Sequence, residues 1–180
     1  MKPRGPLMIE HRLIEKMLKI AEREVQAIKE KKEVDPLFID TVVDFIRTYA
    51  DRTHHGKEED ILFRDLAKKK LKATDQRMMQ DLVDEHVQAR KVVGELVEAK
   101  NGYVRGDTGR LPVIADKLTF LVNFYPEHIR KEDKEFFPNT EACFTKEELD
   151  AMLEDFREFD STMIHEKYKK VFDGLSRRNG

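Results

Sequence analysis

Apolar residues along this chain recur at steps of three and four, the spacing of one face of an α-helix. The first such run is Leu7, His11, Ile14, Leu18, Ala21, Val25 and Ile28. It is apolar except for a histidine in one slot. Asp35-Pro36 then offers an N-cap followed by a proline at the first helical position. A second stripe follows it: Ile39, Val43, Ile46, Ala50, His54, Glu58 and Ile61. The third is Met79, Leu82, His86, Ala89, Val93 and Leu96, with Asn101-Gly102 and the Gly106-Asp107-Thr108-Gly109 stretch marking the loop after it. The fourth is Ile114, Leu121, Tyr125, His128, Glu132 and Phe136. Pro126 inside it predicts a kink just before His128, and Pro138 is expected to close it.

A fifth helix is expected from the capping-box pattern Thr145 to Glu148, with Leu149, Leu153, Phe156, Met163 and Phe172 as its apolar face. Phe38, Val42, Phe45 and Tyr49 form a second stripe on helix two, of the kind this fifth helix would cover. Four long helices with short connections predict an all-α fold, an up-down-up-down four-helix bundle over residues 7–138. Residues 139–180 are expected to form a C-terminal helical extension packed on it.

Every one of the four main stripes carries a histidine, and the spacing repeats. His11 and His54 are 43 residues apart, His86 and His128 are 42 apart, and the second pair follows the first at offsets of 75 and 74. Glu10-His11 matches Glu85-His86. HHGKEEDILF (54–63) matches HIRKEDKEFF (128–137), and both read His-x-x-Lys-Glu-acid. A two-helix unit used twice gives an approximate twofold axis on which the histidines converge. At about 100° per residue, His54 shares a face with Glu58 and His128 with Glu132, whereas Glu59 and Asp133 are turned away by about 140°. His55 with Glu59 is a rival pair, but Ile129 occupies the position equivalent to His55. His55 is therefore read as a neighbour on the flank.

Buried carboxylates need compensation, and metal cations supply it. Four imidazoles and two carboxylates exceed the four ligands of a tetrahedral zinc site and, without thiolate, suit iron or manganese. Two carboxylates on facing helices can bridge two ions, each taking two histidines. A bridging oxide or hydroxide then brings each ion to about five ligands and leaves an open position for a small diatomic or peroxidic ligand.

The pattern His, His-x-x-x-Glu, His, His-x-x-x-Glu in a four-helix bundle resembles the hemerythrin-like (HHE cation-binding) family, over about residues 7 to 138. The resemblance implies a non-heme di-iron centre of the Fe–O–Fe type, with manganese or zinc as substitutes. Terminal ligands would be His11, His54, His86 and His128, and the bridges Glu58 and Glu132. The oxygen carriers of the family have a fifth histidine four positions after the third-helix one, where this chain has Arg90. They also take their second bridge from the position of Asp133; helical geometry and internal symmetry favour Glu132 here. The four-histidine set is more similar to the branch associated with repair of iron centres and with nitric oxide or oxygen responses. That branch often carries a cysteine-bearing N-terminal domain, which this sequence does not show. The implied function is a di-iron protein that binds or reacts with oxygen, nitric oxide or peroxide in oxidative or nitrosative stress. A metal-dependent sensor or interaction module without turnover is the alternative.

Charge and composition narrow this further. Charged residues are 39% of the chain and sum to −2, not the basic surplus that nucleic-acid binding needs. No stretch approaches the roughly 20 apolar residues of a membrane span. MKPRGPLMIEHRL lacks the apolar run of a signal peptide. Cys143 is the only cysteine, which rules out a thiolate cluster and makes a cytoplasmic protein the expectation. It is read as an inert thiol, His165 as an ordinary surface or packing residue, and Lys68-Lys69-Lys70 as a complement to a helix C-terminus. Tyr49 and Tyr125 are read as core aromatics with a polar tip. Arg90 is either a surface residue or a partner of a bridging carboxylate.

Overall fold

The computed structural model describes residues 2–176, with side chains as far as Lys169. Five helical runs account for nearly all of it. Helix α1 is Arg4–Lys31. Helix α2 covers 36–66, starting at Asp35, whose side chain accepts from the Leu37 N–H at 2.9 Å. Helix α3 is Ala73–Val104. Helix α4 covers 111–141 and runs on past Pro126. Helix α5 is Lys146–Ser176. Its capping box is formed: the Glu148 N–H donates to Thr145 Oγ1 at 3.2 Å and the Thr145 N–H to the Glu148 carboxylate at 2.9 Å.

α4 packs against α1 and α3, and α2 closes the ring against both. The bundle expected from the stripes is present, with α5 laid along the outside of α2. Two connections differ from expectation. Asn101-Gly102 lies inside α3, and the turn comes only at Gly106, whose φ of 97° suits glycine. Helical structure also continues through Pro138 to Glu141. The five residues before it, Glu132–Phe136 with Phe137 following, wind as a π-helix, so Pro138 sits where the register of hydrogen bonds changes and its missing N–H costs less.

The core is divided. One cluster is built on Ile14, Leu18, Val43, Leu96 and Leu118, and the other on Leu7, Leu66, Leu82, Phe136 and Phe156. In each helix the polar residues fall between these two: His11 between Leu7 and Ile14, and His86 between Leu82 and Ala89. A layer of polar groups is thus sealed above and below by apolar side chains.

The apolar face of α5 meets a different part of α2 from the one expected. Met152 and Phe156 join the cluster around Leu62, Phe63 and Leu66. Phe38, Phe45 and Tyr49 lie against the larger core instead. Gly56 lets α5 approach, since a Cβ there would stand 2.7 Å from Cζ of Phe159. Farther along, α5 is held by ion pairs from Arg52 to Glu166 and from Lys167 to Asp44. Phe172, expected on this face, lies outside the described side chains.

Candidate metal centre

All six residues singled out by spacing reach the polar layer: His11, His54, Glu58, His86, His128 and Glu132 are each at most 2% exposed. Donor atoms of His11, His54, Glu58 and Glu132 all lie within 4.8 Å of one another. A second group with the same spread is His55, His86 and His128. The two groups adjoin, because Glu58 Oε2 lies 3.5 Å from His86 Nε2 and Glu132 Oε1 lies 3.3 Å from His128 Nε2.

His55 corrects the reading from spacing. It is 1% exposed and its ring stacks on that of His86 at 3.8 Å, inside the layer rather than on its flank. The cause is local winding. Residues Ile46–His55 and Glu58–Phe63 are π-helical, and the Thr53 hydroxyl donates five residues back to the Thr48 carbonyl at 2.8 Å. A turn closed by i→i+5 bonds rotates less per residue than the roughly 100° of an α-helix, so neighbours such as His54 and His55 both stay on the inner side. The internal repeat misled here, because its two halves differ at this position.

The same winding gives Glu59 and Asp133 work that an ideal α-helix would deny them. Each of the five histidines donates Nδ1–H to a carboxylate. His11 donates to Asp133, His54 to Glu10 and His128 to Glu85, all at 2.8 Å. His86 donates to Glu59 at 2.6 Å, and His55 more loosely to Asp51 at 3.4 Å. Every one of these carboxylates is held by a cation: Asp133 by Arg12, Glu10 by Lys57, Glu85 by Lys131, and Asp51 and Glu59 together by Arg90 at 2.7 and 2.8 Å. Arg90 therefore pairs with the outer carboxylates and not with Glu58 or Glu132. Asp133 likewise serves His11 from outside while Glu132 points inward.

This outer ring was present in the repeat without being read from it. In His-x-x-Lys-Glu-acid, the lysine steadies the glutamate that orients the histidine, the glutamate faces inward, and the final acid orients the histidine of the partner helix. Lys57 and Lys131, Glu10 and Glu85, and Glu59 and Asp133 are matched positions.

Fixing Nδ1 as the donor leaves each Nε2 lone pair aimed inward. Nε2 of His11 and His54 and both oxygens of Glu58 and Glu132 are buried without a hydrogen-bond partner. His11 Nε2 and Glu132 Oε2 come within 3.2 Å but do not form a hydrogen bond. Nε2 of His86 and of His128 face each other at 3.2 Å, which is repulsive for two lone pairs unless a cation or proton lies between. Buried polar groups are rarely left unmatched, and a set of imidazole nitrogens and carboxylate oxygens turned to one centre fits a metal cation.

The electrostatics carry the same sign. Burial, then the charge of Glu132, pushes the Glu58 carboxyl well above the usual range. Burial also opposes ionisation of Glu132, but His128 and the nearby His11 hold it well below. Burial opposes protonation of His128, yet Glu132 and Glu85 raise it to about 9. Burial dominates at His54, lowering it to about 4, and at His55, where the neighbouring His86 and His128 lower it further.

Lys57 ties this layer to α5. It is fully buried, pairing with Glu10 and, at 2.6 Å, with Asp160 on α5, 5.8 Å from the Phe156 ring centre. Lys57→Met is expected to lower stability by about 3–5 kcal/mol in urea unfolding, because it strands the Glu10 carboxylate. The double variant with Glu10→Gln should recover part of that loss; no recovery would mean that packing alone sets the cost.

The remaining residues are peripheral. His165 is exposed, Cys143 is a free thiol against the second apolar cluster, and Tyr125 is 1% exposed in the core beside His55. Among the described residues, no helix is long and apolar enough to cross a membrane. Comparison with curated proteins and with solved structures each gave no match. A family profile, the hemerythrin HHE cation binding domain, matches residues 6–140. With three-quarters of its length matched and the bundle and inward donor set in place, the chain belongs to the hemerythrin HHE cation-binding family.

Proposed function

We propose that the chain holds two iron ions bridged by Glu58 and Glu132 and uses them to bind or react with oxygen, nitric oxide or a peroxide. His11 and His54 would serve one ion and His55, His86 and His128 the other. One observation carries this reading: the facing buried donor atoms of His11, His54, Glu58 and Glu132 are left unpartnered, those of His86 and His128 meet only each other, and the opposite nitrogen of every imidazole is anchored. Imidazole and carboxylate without thiolate suit iron, with manganese or zinc as substitutes. Ferrous iron supplies electrons and exchangeable coordination positions. The chain supplies the rest: the carboxylate ring orients the imidazoles, and the two apolar clusters exclude water. Three imidazoles against two leave the His11/His54 side one ligand short, which is where a small ligand would enter.

Anaerobic loading with ferrous iron followed by air should give about two irons per chain and oxo-bridge charge-transfer bands in the near ultraviolet. One iron or none after careful loading would count decisively against the pair.

Loading should also release protons. At pH 7 the metal-free protein carries a proton on the Nε2 side of His128, raised to about 9, and burial with the charge of Glu132 favours the protonated form of Glu58. Both must leave for metal to bind. Metal affinity is therefore expected to fall as pH falls below about 9. Dye-monitored titration in weak buffer checks this, and loading without acidification would contradict it.

A second reading, a sensor without turnover, is favoured by the path from His54 through Glu10 and Lys57 to Asp160 on α5. Hydrogen exchange over residues 145–173 should then differ between iron-loaded and metal-free protein. Identical protection removes the reason to invoke it.

A further inference from the structure

Beside the metal-facing layer lies a cavity of about 320 Å³ between α2, α3 and α4. Ile46, Ala89 and Val93 form apolar walls, and His55 and Tyr125 line it next to the centre. A diatomic ligand has no use for such a volume, since liquid water occupies about 30 Å³ per molecule. Sites for small organic molecules begin at about 300 Å³ and combine apolar walls with a few placed polar groups.

Two of the polar groups here are unmatched. The Tyr125 hydroxyl is buried, 1% exposed as a residue, and has no hydrogen-bond partner. Burial and the nearby Asp51 raise its pKa, so it stays a neutral donor. Three guanidiniums also line the cavity, those of Arg47, Arg52 and Arg90, against the single carboxylate of Asp51. Arg90 is matched by Asp51 and Glu59, and Arg52 by Glu166. The exposed Arg47 has no carboxylate partner among the described residues.

We infer that this cavity binds a small organic carboxylate, its apolar body against Ile46, Ala89 and Val93 and its oxygens taking the Tyr125 hydroxyl and the Arg47 guanidinium. An apolar body alone would leave the hydroxyl unpartnered. A cation would meet surplus positive charge. The anion satisfies both groups. Its lining includes His55 but none of His11, His54, Glu58 and Glu132, so it is distinct from the His11/His54 side where a small ligand would enter.

Benzoate is the probe, titrated into the metal-loaded full chain and followed by ligand-observed NMR, with benzyl alcohol as the uncharged counterpart. Saturable one-to-one benzoate binding is expected, with benzyl alcohol several-fold weaker. Arg47→Gln, at an exposed position, and Tyr125→Phe should each weaken benzoate by about tenfold. Ala89→Phe, checked for helicity, should abolish binding by filling the space. Affinity unchanged in Arg47→Gln and Ala89→Phe, or no saturable binding at all, overturns the assignment. Iron content measured on the same samples tests the metal reading separately, since the cavity contacts do not require the metals.

Discussion

Glu58→Leu is expected to yield a protein that loads essentially no iron and, metal-free, melts higher than the metal-free parent. Glu58 is fully buried with both oxygens unpartnered, and burial together with Glu132 opposes its charge. Its place between two apolar clusters is one that leucine fills. Exchanging an unmatched buried carboxyl for an apolar side chain of similar size should add about 1–3 kcal/mol to the metal-free fold. For the loaded protein the sign reverses. Metal bound only to the folded state stabilises it by about 4 kcal/mol at a thousandfold excess over Kd. If Glu58 serves both ions, as proposed, its removal touches both, and the loss of affinity should exceed the roughly 10–100-fold typical of outer partners. Calorimetric melts of parent and variant, with and without iron, separate the terms. Two outcomes sink the assignment: iron content equal to the parent, or a metal-free variant that melts lower.

His55→Ile is the second large expected effect. Isoleucine is what the other half of the repeat carries at position 129, where Ile129 packs in the core. The variant therefore restores the symmetry that the sequence implies. If His55 completes the set with His86 and His128, iron should fall from about two per chain toward one, with the ion near His11 and His54 retained. The Nδ1 contact of His55 is the longest of the five, 3.4 Å against 2.6–2.8 Å, so its orientation is the least constrained. Asp51 is nonetheless held by Arg90 at 2.7 Å, which keeps an acceptor in place for it. Metal analysis with Mössbauer spectra of enriched iron reads the result. Two equivalent irons in His55→Ile would falsify a ligand role and return His55 to a packing residue.

Reaction with oxygen, nitric oxide or peroxide is a separate matter from holding the metals. The donors and their anchoring ring prepare a cation site, but selectivity among small ligands depends on what borders the open position. On the His11 side that border is Phe137, stacked on the His11 ring at 5.9 Å. On the other side it is the cavity with its free hydroxyl. A carboxylate seated there would lie next to His55 and Asp51, and so beside the most loosely anchored imidazole of the five.

The sequence by itself determined the helices, the bundle and six of the inward-facing residues. The reason is periodicity: a histidine in an apolar slot of a three-four repeat has no direction to point but inward, and four of them on four packed helices must meet. Recurrence of Glu-His and of His-x-x-Lys-Glu-acid also contained four of the outer carboxylates, Glu10, Glu59, Glu85 and Asp133, and both lysines, because a repeated unit repeats its contacts. Tertiary structure alone decided the rest. The π-helical turns at 46–55, 58–63 and 132–136 changed which neighbours face inward, bringing in His55 and giving Glu59 and Asp133 their places. An extra residue per turn leaves only a faint mark on hydrophobic spacing, here the three successive steps of four from Ile46 to Glu58. It is stabilised by contacts between helices, such as Glu59 with His86 and Asp133 with His11, and these exist only once the chain has packed.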